Sequence, residues 1–352
     1  MASLVVQTSF IGDVVLTTPL IAELAKRGPV DVVTGPGAAC LLANDPAVRR
    51  TIIYEKAGSD VGIFGFLRTA RRVRHVGEGG PDSPAAGPYD IVYLAQGSLR
   101  SALLALSTGA SERVGFATSA GAALYTRRVA FREDRHHAER LWSLSMSECA
   151  DPPTPEQIRP RLYPGDPERS SVNAFLSESL ADPAAPIIVL APGAAWATKR
   201  WPFFPELAVR FTDSHSIVVI GGSEDAAAAD AIVTQCPPGR AASAAGRLTM
   251  LASAELIRRA RAIVCNDSSP QHLASAVGTP TLSVFGPTVT DFGYGPLAPG
   301  SVAAGHDDLR CRPCHHHGPV RCPLGHWRCM RELSSGEIAA ALTRILSTGP
   351  IS

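Results

Sequence analysis

Short, nearly unbroken apolar runs punctuate this chain. In its first half they cover residues 4–8, 30–34, 51–54 and 89–95, followed by the shorter 114–116 and 129–131. In its second half they cover 187–191, 216–220, 241–245, 262–265 and 281–285. A strand buried on both faces of a parallel sheet has no polar side to show, so such runs predict parallel strands. Between them the apolar period lengthens to that of a helix. Residues 14–26 place Val14, Leu20, Ile21 and Leu24 on one face and stop at Gly28. Further helices are expected over 168–179, 227–235 and 249–260, and another from His136, through Glu139 and Arg140, to about Cys149. Ser334 and Glu337 have capping-box spacing and open a last helix to about Leu346. Strands alternating with helices on both sides of a Pro-rich segment, 151–166, predict two Rossmann-like α/β domains. The boundaries read as 1–160, 161–333 and a closing helical segment 334–352.

Composition narrows the class. A chain of 352 residues with 45% hydrophobic content can bury two cores, and a net charge of +1 lacks the electrostatic footprint of a nucleic-acid binder. No apolar run is long enough to span a bilayer, and the N-terminus has no basic region ahead of an apolar one. A cytoplasmic protein without a signal peptide is expected, and its eight cysteines then read as thiols or metal ligands sooner than as disulfides.

Chemistry-bearing residues gather where predicted strands end. Asp13 stands between the first strand and its helix, either as a helix cap or as a carboxylate available for proton transfer. Gln96, Ser98 and Arg100 follow the strand 89–95. Arg68, Arg71, Arg72 and Arg74 form either a solvated helix face or a surface for an anion. Pro192 to Pro202 is a glycine-bearing loop with Thr198, Lys199 and Arg200, and Glu224 lies just past strand 216–220. The stretch 262–288 reads as strand, polar turn, short helix and strand. Ser269 is its expected N-cap, Pro270 the first helical residue, and Gly278 with Pro280 the stop. Asp267, Ser268, Ser269 and His272 surround that helix N-terminus, where backbone N–H groups favour an anion. A nicotinamide dinucleotide site is disfavoured, because Gly35-Pro36-Gly37 is followed by Cys40 where a third glycine would be needed. Cys311-x2-Cys314 with Cys322 and Cys329 could hold structural zinc, although the later gaps match no common zinc module; free thiols or a labile disulfide are the alternatives.

Several of these motifs, taken in order, resemble one family. Gly12-Asp13 with Leu16-Thr17-Thr18-Pro19, then Lys199-Arg200-Trp201-Pro202, Asp267 through His272, Gly278-Thr279-Pro280 and Phe285-Gly286-Pro287-Thr288 look like the ADP-heptose:lipopolysaccharide heptosyltransferases. These are GT-B enzymes of glycosyltransferase family 9. The segment Cys322 to Met330 resembles a tail of some heptosyltransferase II-type members. The resemblance implies two facing Rossmann-like domains, the acceptor on the first and the nucleotide-sugar on the second, with the C-terminal helix packing back on the first. It implies inverting transfer without an obligatory catalytic metal. Asp13 would be the base and Lys199 the cation on the diphosphate, with Thr198 near the phosphates and Arg200 holding the loop through a salt bridge. Ser268, Ser269 and the N–H groups up to His272 would cradle the pyrophosphate. Asp267 would bind sugar hydroxyls or orient that loop, and Glu224 is a candidate for the ribose. Gln96, Ser98, Arg100 and His136 match acceptor-side positions. The donor would be ADP-heptose and the acceptor a lipid-anchored lipopolysaccharide core at the inner face of the inner membrane. Many family members carry Gly where Ser269 stands, so the resemblance supports nucleotide-sugar use more firmly than ADP-heptose in particular. The alternatives are a same-family transferase with another nucleotide-sugar or a non-lipid acceptor, and a GT-B nucleotide binder without turnover, against which the retained Asp13 and Lys199 argue.

Overall fold

In the computed structural model, described over residues 1–77, 89–147 and 151–348, the chain divides into two compact units, Met1–Pro160 and Arg161–Ser352. The first unit holds strands β1 Ser3–Val6, β2 Val30–Thr34, β3 Arg50–Ile53, β4 Ile91–Leu94, β5 Glu112–Phe116 and β6 Arg127–Val129. They lie in the order β3-β2-β1-β4-β5-β6, every pair parallel. The second unit holds β7 Ile187–Ala191, β8 Ser216–Val219, β9 Ala241–Ser243, β10 Ala262–Asn266, β11 Thr281–Phe285 and β12 Val302–Gly305. Their order, β12-β11-β10-β7-β8-β9, is the same winding, also parallel throughout. Each sheet therefore reverses direction once, between β1 and β4 and between β7 and β10. Ligands of open α/β sheets sit at the carboxyl ends of the strands beside such a switch point.

The helix Ile11–Ala25 lies behind the first switch point with Val14, Val15, Leu16, Leu20, Ile21 and Leu24 buried. Pro19 inside it has no N–H for the Val15 carbonyl, and the Thr18 hydroxyl donates to that oxygen at 2.8 Å instead. Its N-cap is Phe10, so Asp13 is not the capping residue but stands in the first turn, where the helix dipole favours a carboxylate. In the second unit the helix after β10 spans Ser269–Val277 with Ser268, not Ser269, at the N-cap. It ends where expected, at Gly278, whose φ of 79° is the left-handed conformation that suits glycine.

The closing helix Ser335–Thr348 begins at the capping box, with Ser334 N–H donating to Glu337 Oε2 at 2.8 Å and Glu337 N–H to Ser334 Oγ at 3.2 Å. Its buried face, Ile338, Ala341, Leu342 and Ile345, belongs to the second unit's core, with Leu190, Phe204, Val264 and Leu282. The apolar side of the helix is thus accounted for within the second unit. The Gly/Pro/Ser-rich loop up to Pro88, the expected helix end at Cys149 and residues 349–352 lie outside the described residues. Among the described residues no helix is long and apolar enough to cross a membrane.

Candidate active site

Two polar clusters occupy the switch points, one in each unit. In the first, β1 runs into Gln7, Thr8 and Ser9 before the helix turns at Phe10, which brings Asp13 back over the strand end. Ser9 Oγ lies 2.6 Å from Asp13 Oδ2 and 2.6 Å from Gln7 Oε1. His137, from the helix His137–Ser143, brings Nε2 to 3.7 Å from Asp13 Oδ1. This contact is not an ion pair. Burial, then the charges of Arg140 and His136, push the His137 imidazole down to about 3, so it is neutral at working pH.

Across the switch point, the Thr8 hydroxyl donates to Gln96 Oε1 at 2.5 Å, and Lys56 Nζ donates to Thr8 O at 3.1 Å. Burial, and after it the charge of Arg100, depresses the Lys56 ammonium; two cations face one another at this rim. Ser98 is the N-cap of the helix Leu99–Ser107, its hydroxyl accepting from Ser101 N–H at 3.1 Å. His136 is likewise an N-cap, Nδ1 accepting from Ala138 N–H at 3.1 Å. Of the expected acceptor residues, Arg100 alone is exposed, and its neighbour in charge is Lys56. Arg72 donates to Asp60 at 2.6 Å and to Ile53 O at 3.0 Å, while Arg68 reaches the Ser59 carbonyl; Arg71 and Arg74 are exposed.

The second cluster is held by Asn266 at the end of β10. Its Nδ2 donates to Pro192 O at 2.8 Å and its Oδ1 accepts from Trp201 N–H at 3.1 Å, tying both ends of the loop after β7. The Trp201 ring is buried against Phe203 and Phe204, and its Nε1 donates to Leu333 O at 2.8 Å. The anchored loop carries Lys199 inward, its side chain 9% exposed, onto Asp267 Oδ2 at 2.6 Å. Asp267 also accepts from Thr288 Oγ1 at 2.7 Å and from Gln271 Nε2 at 3.0 Å. The carboxylate thus fixes the lysine, in a buried pair that burial alone would not favour.

Thr198 donates its hydroxyl to the Pro319 carbonyl. Arg200 holds the loop through the Ala194 carbonyl at 3.0 and 3.1 Å, and among the described residues it makes no salt bridge. Ser268 Oγ donates to Gly193 O at 3.3 Å, while the half-buried Ser269 hydroxyl has no hydrogen-bond partner among the described residues. His272 is buried and meets the Tyr294 ring edge-on at 6.3 Å. Glu224 is exposed in the turn after β8, and the neighbouring Asp225 accepts from Gly222 N–H at 3.1 Å.

The cysteine-bearing segment packs against this cluster. Gly318, at φ 85°, leaves a Cβ position 3.2 Å from Lys199 Cε, and His317 stacks on Trp196 with centroids 5.5 Å apart. Among the described residues, however, no three His, Cys, Asp or Glu side chains are grouped to hold a metal ion, and zinc is not supported. Cys314 Sγ turns to the Cys311 carbonyl at 2.9 Å, and Cys311 Sγ lies 3.9 Å from His326 Nε2. Burial, then the neighbouring Cys314, pushes the Cys329 thiol up to about 11, against the thiolate a metal needs. Cys311, Cys314, Cys322 and Cys329 are all free.

Ser9, Gln7, His137, Lys56 and Thr288 were not among the expected site residues. His137 had a signal: with Ala138, Leu141 and Trp142 it lies on the apolar face of its helix, so it, not His136, points inward.

A sequence model of glycosyltransferase family 9 (heptosyltransferase) matches residues 85–324. Lipopolysaccharide heptosyltransferase 1 of Pseudomonas aeruginosa is 31% identical over 331 residues, covering 89% of this chain and 86% of that protein. Lipopolysaccharide heptosyltransferase 2 of Escherichia coli is 28% identical over 310 residues, covering 83% and 84%. Among solved structures, a family 9 glycosyltransferase of Veillonella parvula superposes with a TM-score of 0.83 at 20% identity, covering 99% of this chain and 98% of that one. The E. coli ADP-heptose lps heptosyltransferase II superposes with a TM-score of 0.77 at 23% identity, covering 99% of each chain. The architecture is of the GT-B type.

Proposed function

The chain belongs to glycosyltransferase family 9, and from that premise we propose that it is an inverting enzyme moving a heptose from ADP-heptose to the inner core of lipopolysaccharide. The acceptor hydroxyl attacks the anomeric carbon in line with the bond to the diphosphate. As the carbon–oxygen bond breaks, its electrons leave with ADP, and Asp13 takes the acceptor proton. Charge then grows on the diphosphate, where a fixed cation and helix N–H groups lower the barrier most.

The observation that carries the reading is the placement of Lys199. Its ammonium is held, nearly buried, on Asp267 Oδ2 at 2.6 Å, at the switch point and two residues before the helix Ser269–Val277. Thr198 precedes Lys199 in the chain, Ser268, Ser269 and His272 follow its partner Asp267, and the half-buried Ser269 hydroxyl can contact a phosphate oxygen directly. Glu224, after the second strand of its unit, stands where nucleotide folds keep the acid that binds ribose. No step of this reading runs through a metal.

The first unit is the acceptor side in this reading. Lys56 and Arg100, two cations near enough for the charge of one to act on the other, suit an anionic acceptor. Peripheral contact with the membrane that carries such an acceptor fits the exposed Ile63, Phe64 and Leu67 of the helix Gly62–Gly77, beside Arg71 and Arg74. A donor profile tests the function: purified enzyme with ADP-heptose and with UDP- and GDP-sugars, on acceptors truncated before or after the first heptose. Preference for ADP-heptose is expected. Preference for a UDP- or GDP-sugar overturns the donor assignment, and the acceptor used separates the type 1 from the type 2 reaction.

A further inference from the structure

One hydroxyl of the first unit faces two acceptors. Ser9 Oγ is 2.6 Å from Gln7 Oε1 and 2.6 Å from Asp13 Oδ2, and a serine hydroxyl carries a single proton. The Gln7 amide cannot turn over to supply another. Its Nε2 donates to Ala95 O at 3.3 Å and to Thr17 Oγ1 at 3.2 Å, and its Oε1 accepts from Ser9 N–H at 3.3 Å. Thr17 sends its own proton to Asp13 O at 2.6 Å and so can only accept from Gln7. Reversing the amide would press two acceptors together at Ala95 and two donors together at Ser9 N–H. With Asp13 ionised, the row Gln7–Ser9–Asp13 therefore has two short oxygen–oxygen contacts and one hydrogen to fill them. A second proton, on Asp13 Oδ2, completes it: the carboxyl donates to Ser9 and Ser9 donates to Gln7.

We propose that Ser9, backed by Gln7, is a positioning residue that makes Asp13 hold a proton more tightly and so strengthens it as the base. The hydroxyl serves both states without moving a heavy atom, but only the protonated state leaves no contact without its hydrogen. No bond of Ser9 breaks. Of the titratable and charged groups packed around Asp13, His137 faces it from the helix His137–Ser143 and is neutral. His136 and Arg140 share that helix, Arg140 donating to the Arg132 and Glu133 carbonyls, and Lys56 reaches Thr8. Glu156, in the short helix Pro155–Ile158, pairs with Arg159.

The inference rests on Asp13 being the base, and its test is separate from the test of that role. Ser9→Ala is compared with the parent and with Ser9→Thr in single-turnover transfer across pH 4 to 9, with ADP affinity and melting temperature read alongside. The acidic limb of kcat/KM is expected to move down by about one pH unit in the alanine variant, a tenfold loss of proton affinity, with ADP affinity within about twofold. Threonine is expected to restore the limb. Ser9→Gly is the second deletion if alanine unfolds the chain. A limb that stays in place, moves up, or is not restored by threonine overturns the proposal. It does so even where Asp13→Asn abolishes transfer.

Discussion

Replacing Asp267 by asparagine removes the charge that holds Lys199 and changes almost nothing in shape. The carboxylate has donors on both oxygens: Lys199 Nζ at 2.6 Å and Thr288 Oγ1 at 2.7 Å on Oδ2, and Gln271 Nε2 at 3.0 Å on Oδ1. An amide can keep its oxygen toward Lys199 and Thr288, but its NH2 then faces the Gln271 amide nitrogen. Gln271 can turn over to meet it only if Ser283 Oγ, which donates to Gln271 Oε1 at 2.9 Å, rotates to accept instead. Lys199 is left a nearly buried cation, its side chain 9% exposed, without its counter-charge. Breaking such a pair from one side costs about 3–5 kcal/mol, and the retained oxygen puts this case near about 3. For a domain of this size that is a fall of roughly 6–12 °C in the melting of the second unit. Thermal melts with and without saturating ADP provide the assay. Because a diphosphate replaces the missing charge, ADP is expected to raise the melting temperature of Asp267→Asn more than that of the parent. In Lys199→Met the shift with ADP should shrink instead. An Asp267→Asn protein that melts within about 1 °C of the parent, or gains less from ADP than the parent does, would refute the reasoning.

Other outcomes follow from the same geometry. His137 is held neutral, at about 3 in the folded chain against about 6.5 when unfolded, so the unfolded state binds the extra proton between those values. Its contribution is complete above pH 6.5 and is lost as pH falls toward 3, by about 1.4 kcal/mol per unit. Urea unfolding at pH 7 and pH 5 should show the parent losing about 2 kcal/mol more than His137→Gln; equal losses would place the imidazole in water. Phe64, 77% exposed, tests the membrane surface. Phe64→Glu should lower binding to vesicles of anionic phospholipid several-fold, with transfer to a water-soluble truncated acceptor unchanged; unchanged vesicle binding removes this helix from the contact.

Much of the fold is legible because the sheets are parallel and buried. β2, β7 and β11 fall on the residues their apolar runs mark, since a strand covered on both faces is apolar at most positions, and a polar exception such as Asp31 needs a partner, here Arg49 at 2.8 Å. β12, Val302–Gly305, carries small, partly exposed residues at a sheet edge and leaves no such mark. The helix starts were harder. Asp13 and Ser269 both have the composition of a cap, but the caps are Phe10 and Ser268, because strand geometry fixes where each turn begins. Lys199 was legible as the cation of the second unit. Its bond to Asp267 was not, because a partner in space has no fixed spacing in sequence. Ser9 and Gln7 are close to Asp13 in sequence, and they were hidden because their significance lies in a count of hydrogens that needs distances.

The central claim, that this chain is a heptosyltransferase whose base is Asp13, is tested most directly by Asp13→Asn. Transfer from ADP-heptose to a truncated lipopolysaccharide acceptor is measured together with ADP affinity on the same preparation. The amide keeps the shape and an acceptor for Ser9 but cannot take a proton. A fall in kcat of about 10²–10⁴ is expected, with ADP bound as tightly as by the parent. Near-normal turnover in Asp13→Asn would contradict it.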